Sequence, residues 1–137
     1  MLFRDRADAG RQLALRLTQF AGRPDVTVLP LTRSSDPVAF EVVEKLQPKG
    51  TAVWNSTVII VADGIGDATD AIAFIRELRR ERPKQIVVAM PVASNDGRYD
   101  VALRADQVIC LATPEPFINV GEWYAEAETE LVEWSTA

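Results

Sequence analysis

The stretch that most constrains this chain is Thr57–Ile75, TVIIVADGIGDATDAIAFI. Thr57, Val58, Ile59, Ile60 and Val61 are all β-branched, and nothing polar alternates with them. Such a run suits a parallel strand covered on both faces. A polar turn with two glycines follows, Ala62–Asp70, and then a helix is predicted from Ala71 to about Arg82. Ala71, Phe74, Ile75 and Leu78 give that helix one apolar face. Arg79, Arg80 and Arg82 fall in its last turn, where cations favour the helix dipole, and Pro83 stops it. A strand–turn–helix unit aims backbone N–H groups at whatever lies above the sheet, usually an anion. Here the turn carries three carboxylates of its own, Asp63, Asp67 and Asp70.

The flanking segments repeat the alternation. Asp5 is placed to cap a helix running to about Phe20, with Ala9, Leu13, Leu17 and Phe20 as its buried stripe and Gly22 and Pro24 beyond it. Val26–Leu31 reads as a strand, Thr32–Asp36 as a polar turn, and Pro37 as the first turn of a helix through Leu46. Gln47–Ser56 is a linker, with Trp54 expected to cover the sheet edge and a ligand-stacking role as the lesser alternative. Gln85–Val92 is a strand, Ala93–Gly97 a turn, and a weak helix continues to about Arg104. Gln107–Ala112 is the last strand. Glu122–Trp134 is predicted as an acidic helix, with Trp123, Tyr124, Leu131 and Trp134 packing on the sheet or on a partner. The expectation is a single α/β domain over residues 1–137. It would have three layers, α/β/α, around a mainly parallel four-stranded sheet with right-handed crossovers.

Charge narrows the function classes. The chain has a net charge of −5 and no histidine. That argues against a nucleic-acid or anionic-membrane surface, both of which need a basic patch. It also removes the usual general base and the commonest metal ligand. The lone Cys110 lies in an apolar run and reads as a packed thiol rather than a nucleophile. One cysteine gives no disulfide within the chain, which fits a reducing cytoplasm. Acids appear too early in MLFRDRADAG for a signal peptide, and no apolar run approaches the ~20 residues of a membrane span.

Three stretches carry a family resemblance: the opening FRDRADAGRQLALRL, the pair IVVAMPV and DQVICLATPEPFINVGEWY near the end, and the central VADGIGDATDA. Together they resemble a bacterial type I phosphoribosyltransferase. In that family the central loop binds phosphoribosyl pyrophosphate (PRPP), and the resemblance implies that fold here, in a minimal form without the family's hood. The departures are specific. The family loop reads Val-Asp-Asp-Gly-x-Ala-Thr-Gly-Ala-Thr, with two acids that contact the ribose hydroxyls directly or through the metal. Here Ala62 replaces the first acid, Asp63 keeps the second, and Asp67, Ala68, Thr69 and Asp70 replace the phosphate cradle. The pyrophosphate loop, Pro-Arg-Gly-Gly-x-Pro in the family, is Thr32-Arg33-Ser34-Ser35-Asp36-Pro37. Both glycines that allow close backbone approach are gone. The family's two extra strands, base-recognition hood and catalytic loop shrink here to Gln47–Ser56.

A phosphate beside Asp67 or Asp70 meets like charge. At ~4 Å in a surface-like dielectric one such contact costs about 4 kcal/mol, nearly a thousandfold in affinity. Three readings stay open. The resemblance and its departures together imply a degenerate phosphoribosyltransferase-like protein, catalytically inactive, that acts as a regulatory or protein-interaction module; Asp67 or Thr69 then caps the following helix and Asp70 sits in its first turn. A second reading is a minimal phosphoribosyltransferase, or a PRPP- or nucleotide-binding protein, using Asp63, Gly64, Gly66, Asp67, Thr69, Arg33, Ser34 and Ser35. A third is a metal-binding, phosphate-handling protein whose divalent cation, Mg²⁺ for example, sits on Asp63, Asp67 and Asp70. Arg33 either clamps an anion or pairs with Asp36 or another nearby acid. Loss of the extra strands would leave an open edge near Val26–Leu31, so a homodimer or a protein partner is expected.

Overall fold

The computed structural model describes residues 2–125. Four helices and four strands alternate along it: α1 (Arg6–Ala14), β1 (Val26–Pro30), α2 (Asp36–Leu46), β2 (Thr57–Val61), α3 (Thr69–Arg79), β3 (Gln85–Val92), α4 (Asn95–Ala102) and β4 (Gln107–Ala112). The sheet is wholly parallel, in the order β1-β2-β3-β4. Every residue of β2 is buried, as its unbroken β-branched run requires.

The two faces of the sheet bury separate cores. Alternate strand residues Val26, Ile59, Val61, Val87 and Ala89 meet Leu13, Leu17, Val38, Val42 and Leu46 from the α1–α2 side. Val58, Ile60, Ile86, Val88 and Met90 meet Ala71, Ile75, Leu78 and Val101 from the α3–α4 side. This is the expected three-layer arrangement.

The crossovers differ from the expectation. In a sheet of this order, three simple right-handed crossovers would place α2, α3 and α4 on one face. Instead α2 shares the opposite face with α1, where it is needed to bury that side of the sheet. The chain then regains the other face by passing round the outer edge of β1. Lys49 N–H donates to Arg23 C=O, Gly50 N–H to Val26 C=O at 2.8 Å, and Thr27 Oγ1 to Ala52 C=O. Val53 then packs into the α3–α4 core before β2 begins. So α2 stands where a right-handed crossover to a further strand, outside β1, would have placed it.

Other boundaries shift for local reasons. α1 ends at Ala14, and Arg16 and Leu17 N–H bond three residues back to Leu13 and Ala14. The chain continues as a 3₁₀ turn, Thr18–Phe20, which still buries Leu17 and Phe20. α3 starts at Thr69, two residues before the predicted Ala71, and stops at Arg79; Arg82 takes φ +54°. Trp54 is 69% exposed and does not cover the edge; the Lys49–Ala52 backbone lies along its start, at Val26 and Thr27. The predicted helix from Glu122 is a 3₁₀ turn, Gly121–Trp123, followed by extended Tyr124, which bridges to Phe3. The rest of that prediction, with Leu131 and Trp134, lies outside the described residues. No helix among the described residues is long and apolar enough to cross a membrane.

Candidate functional site

Parallel α/β sheets present their ligand crevices beyond the carboxyl ends of the strands. A cavity of about 440 Å³ lies there, above β1 and β2. Its walls come from Arg6, from Leu31, Thr32 and Ser34 after β1, from Asp63–Asp67 and Asp70 after β2, and from Ile118, Asn119 and Val120. Of the residues expected to bind ligand, Asp63, Gly64, Gly66, Asp67 and Ser34 line it; Arg33, Ser35 and Thr69 do not.

Asp63 is buried, and its carboxylate is already partnered. Arg6 Nε donates to Oδ2 at 2.9 Å, with both side chains almost fully out of solvent. Ser35 Oγ donates to Oδ1 at 3.3 Å and accepts from the Asp63 N–H at 3.0 Å. The Arg6 guanidinium also lies 4.5 Å from the centroid of the Tyr124 ring, and Tyr124 O–H donates to the Asp63 carbonyl. Ser35 is fully buried and turned inward, with Thr32 Oγ1 as a further partner at 2.9 Å, so it holds the loop rather than facing the cavity.

Asp67 fills the N-terminus of α3 with the protein's own anion. Its carboxylate accepts from the Thr69 hydroxyl and, at 2.7 Å, from the Thr69 N–H. Those two bonds hold its carboxyl below the usual carboxylate range. Asp67 stands one residue before the N-cap, Ala68, and bonds the first N–H of the helix, so it supplies an anion at this end although neither it nor Thr69 is the capping residue. Asp70 is exposed in the first turn of α3, in the cavity wall. The cation triad is not assembled: no three His, Cys, Asp or Glu among the described residues could hold a metal ion. Asp63 faces Arg6 and Ser35 while Asp67 faces Thr69, so their oxygens do not converge. Arg33 is exposed and has no ion pair with Asp36 or with any other described acid, contrary to its structural reading.

The loop glycines answer to packing. A Cβ on Gly64 would lie 2.7 Å from the Val120 side chain, and one on Gly66 would lie 3.0 Å from the Phe117 ring. The segment after β4 therefore lies directly on the loop. Sequence reading missed Arg6 and this covering segment, and gave Tyr124 a packing role without its bond to Asp63. Arg6 lies 57 residues from Asp63 and Tyr124 lies 61, separations at which local spacing carries no signal. Cys110 packs as expected, half-buried with Sγ 3.2 Å from Ala112 C=O, and burial pushes its thiol pKa up.

No protein-family profile matches the chain. Proteins of two Mycobacterium tuberculosis strains, each named a "putative phosphoribosyl transferase", are 30% identical over 191 residues that take in 90% of this chain. The chain spans 43% of the length of these relatives. The matched span is longer than the 137 residues of this chain, so the relatives carry residues inside it that have no counterpart here. Among solved structures, a protein of Thermus thermophilus superposes with a TM-score of 0.79 at 22% identity, covering 98% of this chain and 99% of that one. A hypoxanthine-guanine phosphoribosyltransferase of Bacillus anthracis superposes at 0.63 and 16% identity, covering 82% and 79% of the two chains. A hypoxanthine phosphoribosyltransferase of Staphylococcus aureus gives 0.64 at 14% identity, covering 85% and 78%. The chain therefore has the type I phosphoribosyltransferase-like fold, and its sequence relatives carry the same family name.

Proposed function

We propose that this chain is a phosphoribosyltransferase-like domain without transferase activity that serves as a regulatory or protein-interaction module. One observation carries the reading. Asp63, the single acid retained in the ribose-binding pair, has its carboxylate committed to Arg6 and Ser35. The surroundings agree with it. Asp67 occupies the anion position at the start of α3, and Asp70 adds a second negative charge to the cavity wall. Apolar pairs stay exposed at two helices, Phe40 with Val43 on α2 and Tyr99 on α4 with Leu103 just past its end, and offer surfaces for a second copy or another protein. A cytoplasmic location fits the single free thiol.

The cavity itself favours a second reading, retained binding of PRPP or a nucleotide, with Mg²⁺ arriving as the counter-ion of the pyrophosphate. Calorimetric titration with PRPP, with and without Mg²⁺, separates the two. The first reading expects no heat at millimolar ligand. Micromolar binding overturns it and moves the search to the acceptor base. Light scattering at tens of micromolar tests the homodimer, which a strictly monomeric profile would exclude.

A further inference from the structure

Residues 113–125 form a strap that runs from the end of β4 across the loops after β2 and β3. Its attachments are unevenly spread. At one end Ala112 C=O accepts from Ala93 N–H, which ties β4 to the sheet end. At the other, Leu2 and Phe3 N–H donate to Trp123 C=O, Ala125 N–H donates to Phe3 C=O, and Tyr124 O–H donates to Asp63 C=O. Between these ends, the backbone N–H bonds of Ile118, Glu122 and Trp123 all stay within the strap. Phe117 over Gly66, Val120 over Gly64 and the Asn95–Glu115 side-chain contact hold the middle down.

The strap also stands between two recesses. Pro114–Phe117 wall one of about 530 Å³ beside Ser94–Asp96. Ile118–Val120 wall the 440 Å³ cavity above Asp63. The floor beneath is continuous, because Ser94 Oγ donates to Gly66 C=O at 2.6 Å and joins the two loops. Among the described residues the strap's backbone ties to the body sit at its two ends, and its middle is held by side-chain packing of Phe117, Val120 and Trp123 around the buried Phe3–Tyr124 pair, contacts that a local opening can release without breaking the sheet ladder.

We propose that the strap is a lid that opens as a unit while the sheet stays folded. The Tyr124–Asp63 hydrogen bond and the Phe3–Tyr124 bridge are its latch, and opening merges the two recesses into one groove along the carboxyl ends of the strands. The proposal does not depend on whether the groove binds PRPP.

Native-state hydrogen exchange at increasing urea tests it on the whole chain. The amides of Phe3, Trp123, Tyr124 and Ala125 report the strap, and those of Ile60 and Val88 report the sheet. The strap amides are expected to exchange at least about a hundredfold faster than the sheet amides, with almost no urea dependence. Tyr124→Phe should speed the strap amides about tenfold further, the scale of one lost hydrogen bond. Gly66→Ala, which wedges Phe117 outward, should act in the same direction and serves if Tyr124→Phe does not fold. The same rate and urea slope for strap and sheet amides in the wild-type chain would overturn the lid, whatever either variant does.

Discussion

The two faces of this sheet are covered by helices of similar size but reached by different routes. On the α3–α4 face, strand, helix and next strand follow one another without detour, as parallel sheets favour. On the α1–α2 face, the chain must leave α2, pass round the outer edge of β1 and cross to the far side before β2 begins. Helix placement therefore fits a sheet with one more strand better than the sheet that is present. α2 is where a right-handed crossover to an additional strand beyond β1 would place it. In this chain a short linker takes over that edge.

If both faces are equally well packed despite their routes, matched truncations should cost the same. Leu13 on the first face and Met90 on the second are both fully buried. Leu13→Ala and Met90→Ala are each expected to lose about 2–5 kcal/mol, the range for large-to-small changes in a tight core. Urea unfolding with an unchanged slope measures this. A loss below ~1 kcal/mol for Leu13→Ala alone would mean that the α1–α2 face is only loosely docked.

Most of this architecture could be read from the chain because it is local. The β-branched run of β2, the apolar face of α3 and the end of α2 at Leu46 are each encoded within a few residues. Asp67 as the anion at the head of α3 was readable for the same reason, since its partner is Thr69. The site was less legible. Asp63 could be picked out as the retained acid, but its partners lie in α1, in the turn before α2 and in the strap. Ser34 and Ser35 looked alike as loop hydroxyls; only packing decides that Ser35 turns inward while Ser34 stays at the cavity. The linker's path had no signal in its composition, because Gly50 and Thr27 meet across strand β1 rather than along it.

The linker gives the second test. A Cβ on Gly50 would lie 2.4 Å from Val26 C=O, and that oxygen is the acceptor of Gly50's own N–H. Backbone cannot yield as a side-chain tip does. Gly50→Ala should therefore cost about 1–3 kcal/mol, as overpacking does. A tether that merely joined α2 to β2 would tolerate the change within about ±0.5 kcal/mol, the usual scale of surface substitutions. A neutral result in urea unfolding would break the contrast between the two routes, since it would remove the linker's role at the β1 edge.

The smallest expected effect compares the acidic ties beneath the two faces. Below β1, the Arg23 and Lys84 side chains hold the Asp25 carboxyl far below the usual carboxylate range from exposed positions. Below the other face, burial pushes the Asp106 carboxyl up, but the Ile86 N–H at 2.7 Å and the Arg79 guanidinium at 3.0 Å outweigh it and leave the pKa lowered. A folded-state pKa below the unfolded one contributes stability that is present above about pH 4 and is lost as pH falls through the folded value. Asp106 is partly exposed, so solvent screens the Arg79 pair and the effect is small. Asp106→Asn should lower the melting temperature at pH 7, and the gap to wild type should close as pH falls from about 4 toward 2. A gap that stays constant over that range would mean that Asp106 acts through the geometry of its bond to Ile86 and not through its charge. The α3–α4 face would then be tied by shape alone, leaving the Asp25 cluster as the charge-dependent one.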